Sequence, residues 1–221
     1  MTKTGFEPLA YSEKSTDEMI TISQSFYLEM KNRRSVRDFS NRPIPEEVIM
    51  NAISAAGTAP SGANMQPWHF VVITDPEIKK EIRIGAENEE RRFYQERATK
   101  EWLGVLKPLG IDASKPFLEI APCLIVIFLK TKTVKEDGVT CMNYYQKEST
   151  GIATGILITA LHLSGLAILT YTPSPMKFLN HILDRPATEH PFLLLATGYP
   201  SNQTEVPTLE KYELERIATF L

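Results

Sequence analysis

A mixed α+β sandwich, a central sheet flanked by helices, is predicted for this 221-residue sequence by three observations. Four short runs rich in β-branched and aromatic residues read as strands: 68–74, 122–130, 166–172 and 192–199. Between them lie segments with apolar residues at helical spacing. No internal repeat or low-complexity stretch breaks the pattern, and the length suits a single domain over 1–221.

The elements follow in order. Ser15-Thr16-Asp17-Glu18 has the form of a capping box, and Met19, Ile20, Ile22, Phe26, Tyr27 and Met30 continue at roughly helical spacing. The helix ends in Arg33-Arg34-Ser35-Val36-Arg37. Pro45 is placed to open a second helix through Ala56, with Glu46 and Glu47 in its first turn and Val48, Ala52, Ile53 and Ala56 as its apolar face. A helix from Tyr144 to Leu163, stopped by Gly165, is mostly small and apolar, so it can pack closely on both sides and suits the centre of a dimer. The stretch from Ala86 to Lys107 is highly charged with few core anchors. It reads as a solvated helix or as a lid that orders over a ligand.

Composition removes several functions. A net charge of −3 argues against general nucleic-acid binding, and no apolar run approaches the ~18 residues of a membrane span. The first residues, Met1-Thr2-Lys3-Thr4-Gly5-Phe6, lack the apolar core of a signal peptide, so the expected setting is cytoplasmic. Cys123 and Cys141 form no CxxC pair, and Cys123 reads as a small buried hydrophobe. The four histidines have no metal-ligand spacing, and no phosphate-binding GxGxxG or GxxxxGK[ST] loop occurs.

Two motifs carry chemistry. Residues 33–37 put three guanidiniums and a hydroxyl within five positions, a grouping that an anion such as phosphate would neutralise. Alone, such a run is a solvated helix end. Ala59-Pro60-Ser61-Gly62-Ala63-Asn64 is a loop of small residues whose backbone N–H groups can approach a flat ligand; Pro-Ser-Gly alone is only a turn. The pair, one helix apart and followed by a strand, suggests a nucleotide-like cofactor. Further on, Glu90 and Tyr94 are four apart and share a face if helical, and Lys115 precedes Pro116-Phe117. A carboxylate, a phenol and an ammonium converging on one pocket would complement an amino-acid zwitterion.

With these residues in view, the chain resembles the nitroreductase-like flavoproteins, whose first helix ends in an Arg-Arg-Ser-x-Arg run and whose FMN lies under an Ala-Pro-Ser-Gly-like loop. The Glu90/Tyr94/Lys115 triplet, with Thr170-Tyr171-Thr172-Pro173 and Gly198-Tyr199-Pro200-Ser201, is similar to the iodotyrosine deiodinase branch, over most of the chain from about Tyr27. The resemblance implies an intertwined homodimer with FMN at the interface, a lid over about 86–118 and a C-terminal extension over about 203–221. It also implies that Arg33, Arg34, Ser35, Val36 and Arg37 hold FMN, phosphate toward Arg33 and Ser35 and ring toward Arg37. Pro60 and Ser61 would contact it from the loop, and Thr170, Tyr171 and Thr172 would lie beside it, Thr172 as hydroxyl donor to N5 and the catalytic residue. Substrate would be held by the Ala63 N–H at its phenolate and by Glu90, Tyr94 and Lys115 at its zwitterion.

Tyr171 stands where the vertebrate members of the family it resembles have Thr, and Lys211 where the family uses an Arg toward the FMN phosphate; Lys keeps the charge and loses the bidentate fork. The membrane anchor of the animal enzymes is absent here, which implies a soluble, bacterial member. The implied activity is FMN-dependent reductive dehalogenation of halotyrosines to tyrosine and halide. A broad FMN nitroreductase or quinone reductase, and a flavin or halotyrosine binder without turnover, remain open alternatives.

Overall fold

The computed structural model describes residues 5–98, 112–134 and 138–221. The chain divides into two compact units, 1–33 and 34–221. The first contains α1 (Thr16–Asn32), opened by the expected capping box: Ser15 Oγ accepts the Glu18 N–H at 3.3 Å and Glu18 Oε2 accepts the Ser15 N–H at 2.8 Å. These two bonds satisfy donors that every helix start leaves unpaired. Arg33 is the C-cap, its N–H donating to Met30 O at 3.2 Å.

The second unit is built on a four-stranded sheet of β1 (Trp68–Ile73), β2 (Cys123–Lys130), β5 (Ala167–Tyr171) and β6 (Glu189–Gly198), in the order β1-β2-β6-β5. All adjacent pairs are antiparallel. A separate two-stranded hairpin, β3 (Lys132–Val134) with β4 (Thr140–Met142), was not expected from the sequence. The expected strands thus all form, with shifted ends. β2 begins after Pro122, which has no N–H to give a ladder. β6 begins at Glu189, three residues early, because pairing continues past a register shift that leaves Phe192 without a partner and sets Pro191 opposite Phe128.

Helices cover both faces of the sheet. On one side lie α2 (Glu46–Gly57) and α5 (Gln146–Leu163), with Ile49, Ala52, Ala56, Leu157 and Leu161 packed on Cys123, Ile125 and Ile127. On the other lie α3 (Pro76–Arg92), α4 (Phe117–Ile120) and α6 (Phe178–Ile182), with Ile82, Ala86, Leu118 and Leu179 packed on Leu124, Val126 and Phe128. Because β2 is covered on both faces, it reads as a continuous apolar run rather than an alternating one. Cys123 is 2% exposed, and burial pushes its thiol up to about 12, the inert small hydrophobe expected. The short α7 (Leu214–Ile217) carries no buried residue.

Two helix starts differ from the sequence reading. Pro45 is the N-cap of α2 rather than its first residue, and α5 starts at Gln146 because Tyr145 adopts a left-handed conformation, φ 52°. α5 is also packed on one side only within this unit: Ala153, Leu157 and Leu161 are buried, while Ile152 and Gly155 are exposed. Open space surrounds the Cβ positions of Gly151 and Gly155. Of the charged stretch from Ala86 to Lys107, the residues up to Arg92 form the last turns of α3 and Phe93–Arg97 a π turn. Asp75 caps that helix by accepting the N–H groups of Glu77 and Ile78 at 2.8 and 3.0 Å, and Ile82 and Ala86 anchor it with no exposed surface. Residues 99–111 of the expected lid lie outside the described residues.

Candidate active site

The extended segment after Arg34 places the first wall of the site. Ser35 bridges in parallel to Ile168, the Val36 N–H donates to Ile168 O at 3.2 Å, and the Val36 side chain enters the core at 8% exposure. With Val36 pinned inward, strand alternation turns Arg37 away from that core and to the rim of a cavity of about 810 Å³. Burial holds the Arg37 guanidinium below its ordinary value. No carboxylate among the described residues forms an ion pair with it. A half-buried cation in this state is suited to an electron-rich or anionic ligand.

The same cavity gathers Glu90, Tyr94, Lys115, Thr170, Tyr171 and Thr172. Glu90 sits in the last turn of α3, and a π turn, Phe93–Arg97, carries the chain on so that Tyr94 stays beside it. Lys115 Nζ lies 3.7 Å from Glu90 Oε2, with side-chain exposures of 4% and 15%, and also donates to the Asp112 carbonyl. Burial lowers the Lys115 pKa, against the opposing pull of Glu90 and Asp112. Burial first, then Glu90 and Asp112, raises that of Tyr94, so the phenol keeps its proton. Tyr171 donates to Glu90 Oε1 at 3.0 Å, and its ring meets Phe117 edge-on at 5.6 Å. Thr170 and Thr172, on the other parity of the strand, are exposed.

Lys115 is held by a residue that sequence reasoning passed over. Glu87 Oε1 accepts the Lys115 backbone N–H at 2.9 Å, and Glu87 also pairs with Arg83 at 3.3 Å and Arg91 at 3.8 Å. Its position one turn before Glu90 was the only sequence signal, and in a run of charges it does not stand out.

The remaining expected residues are placed elsewhere. Arg33 belongs to the first unit, while Arg34 donates to the Pro207 carbonyl and Lys211 is exposed in the C-terminal segment. Pro60, Ser61 and Ala63 lie on the loop between α2 and β1 and do not line the cavity. Ser61 Oγ accepts the Gln66 N–H at 3.0 Å. Ala63, Asn64 and Gln66 all adopt positive φ, of 50°, 53° and 47°. A Cβ on Gly62 would stand 2.9 Å from the ring of the exposed Tyr145, which would have to shift to admit it. This loop enters β1 at one sheet edge, whereas Thr170–Thr172 lie at the end of β5 at the other, three strand spacings or roughly 14 Å away.

Comparison with known proteins identifies the family. The model of the Nitroreductase family matches residues 30–199. The chain is 52% identical to an iodotyrosine deiodinase of Haliscomenobacter hydrossis, over 95% of this chain and 94% of that protein. It is 42% identical to human iodotyrosine deiodinase 1, over 95% and 73% of the two chains. Among solved structures, an oxidized iodotyrosine deiodinase bound to FMN and 3-iodo-L-tyrosine superposes with a TM-score of 0.75 at 29% identity, covering 88% of this chain and all of the other. A BluB-like flavoprotein from Clostridium difficile 630 shares the fold, with a TM-score of 0.68 at 22% identity, over 88% of this chain and 98% of the other. The chain belongs to the nitroreductase family and, within it, to the iodotyrosine deiodinases.

Proposed function

We propose that this protein is an FMN-dependent reductive dehalogenase of halotyrosines. The observation that carries the reading is the convergence of Glu90, Tyr94 and Lys115 in one cavity with Arg37 and the Thr170–Thr172 segment. The residues fit FMN. A half-buried guanidinium without a carboxylate partner among the described residues can face the electron-rich edge of a flavin, and the exposed hydroxyls of Thr170 and Thr172 can donate to it. FMN, when reduced, supplies the two electrons with which the C–I bond is cleaved, the ring carbon takes a proton and iodide leaves.

The chain's own residues bind and orient the amino acid. Glu90 takes the α-ammonium and Lys115 the α-carboxylate, each exchanging its present partner for the substrate group of the same charge as that partner. The Tyr94 hydroxyl, kept protonated by burial, donates to the carboxylate end. The Ala63 N–H receives the phenolate oxygen, and a donor fixed there favours the ionised phenol. Arg33, Arg34, Ser35 and Lys211 supply positive charge and donors for the FMN phosphate, Pro60 and Ser61 contact the flavin from the loop, and Tyr171 does so through its backbone.

The site is completed by a second copy. Loop 60–64 and the Thr170–Thr172 segment stand at opposite sheet edges, so one flavin is served by the loop of one protomer and the Arg37 wall of its partner. The open face of α5, with Ile152 and Gly155 outward, supports its burial in that homodimer. Two free cysteines support a cytoplasmic setting, and no described helix is long and apolar enough to cross a membrane.

The test is anaerobic. Holoprotein reduced with dithionite should be reoxidised by 3-iodotyrosine, with tyrosine and iodide formed in equal amounts. Binding without reoxidation would leave a halotyrosine binder. Rapid NAD(P)H-driven reduction of nitroaromatics with no iodide release would leave a general nitroreductase.

A further inference from the structure

Tyr171 stands out because the cofactor does not explain its side chain. Strand parity turns it away from Thr170 and Thr172, and its ring is fixed edge-on to Phe117 at an interplanar angle of 88°. Its hydroxyl reaches Glu90 Oε1 at 3.0 Å, while Lys115 Nζ lies 3.7 Å from Glu90 Oε2 and 5.7 Å from the centre of the Tyr171 ring. The two oxygens of Glu90 thus have different partners. One is a neutral phenol on a rigid strand, and the other is a cation that a ligand carboxylate can draw off.

We propose that Tyr171 is the positioning residue of the amino-acid clamp: its hydroxyl holds Glu90 Oε1, so that Oε2 is presented to the ammonium of a zwitterionic substrate, and this sets the preference for amino acids over simple phenols. The inference rests on the clamp reading given above. When substrate carboxylate engages Lys115, Oε2 is released to accept the ammonium while Oε1 stays held, so Glu90 does not have to be reoriented. Burial and the neighbouring Glu90 raise the Tyr171 pKa, so the phenol remains a donor across the working pH range. A threonine at this position is too short to reach from β5 to α3.

Tyr171→Phe keeps the ring and removes only the bond. In the holoprotein, with binding read by quenching of flavin fluorescence, the Kd for 3-iodotyrosine should rise about tenfold. The Kd for 2-iodophenol, which has no ammonium, should stay within about twofold. Tyr171→Thr should show the same selective loss, which keeps the test open if the Phe variant does not hold flavin. In a Glu90→Gln background the further loss from Tyr171→Phe should shrink to below about twofold. Equal losses for both ligands in Tyr171→Phe, or none for either, with Glu90→Gln still selective, would overturn the role of Tyr171 and leave the clamp standing. If Glu90→Gln itself fails to distinguish iodotyrosine from iodophenol, the clamp falls, and this inference with it.

Discussion

Glu87 ties the Lys115 segment to α3, and removing it should both loosen the fold and disturb the clamp. In Glu87→Ala the Lys115 N–H, on a residue only 3% exposed, loses its carboxylate acceptor at 2.9 Å. An unpaired buried donor costs about 1–3 kcal/mol. The ion pairs to Arg83 and Arg91 add less than about 1 kcal/mol, because both guanidiniums reach water. Arg83 in any case keeps Glu119 at 2.6 Å. The total is a loss of about 1–4 kcal/mol. Glu87→Gln keeps an acceptor oxygen and loses only the charge, so it should cost less than about 1 kcal/mol. Urea unfolding followed by circular dichroism, at saturating FMN for all three proteins, measures both values. If Glu87→Gln is as costly as Glu87→Ala, charge rather than the backbone acceptor is responsible; if both are neutral, the Lys115 bond is not made in solution.

Arg37→Ala should weaken FMN binding by about 1.5–3 kcal/mol, one to two decades in affinity, measured by titrating apoprotein with flavin. Leu157→Ala, at a fully buried position between α5 and the sheet, should cost about 2–5 kcal/mol in the same urea experiment. His69 on β1 is held below 6.5 chiefly by burial, against the pull of Glu189. The unfolded chain therefore binds the extra proton first, and stability should fall as pH drops below about 6.5. His69→Gln should flatten that slope between about pH 6.5 and 5, seen by comparing unfolding midpoints at the two values.

Much of the architecture was legible because it rests on local patterns. The Ser15/Glu18 box shows in sequence because its two bonds are local, and the apolar face of α2 and the unbroken Cys123–Phe128 run show because one helix face or both strand faces are buried. Strand ends were not legible, since the pairing of β6 before Phe192 runs through a register shift that depends on the partner strand. The β3–β4 hairpin was missed because its strands are three residues each. In the site, Glu90, Tyr94 and Lys115 could be paired on paper through the helical four-residue spacing and the family resemblance. The anchoring by Glu87 and the reach of Tyr171 to Glu90 depend on contacts across 28 and 81 positions of sequence, for which no local signal exists.

The Glu90–Lys115 pair also bears on how this enzyme meets its substrate in solution. A clamp of one anion and one cation is electrically neutral, and so is a zwitterion, so their union moves no net charge. Capture should accordingly be nearly indifferent to added salt and gain no long-range attraction beyond ordinary diffusion. Discrimination then operates only after contact. A ligand with the carboxylate but no amine can displace Glu90 from Lys115 but offers the freed carboxylate no counter-charge, and it should be rejected at that point rather than at the mouth of the cavity.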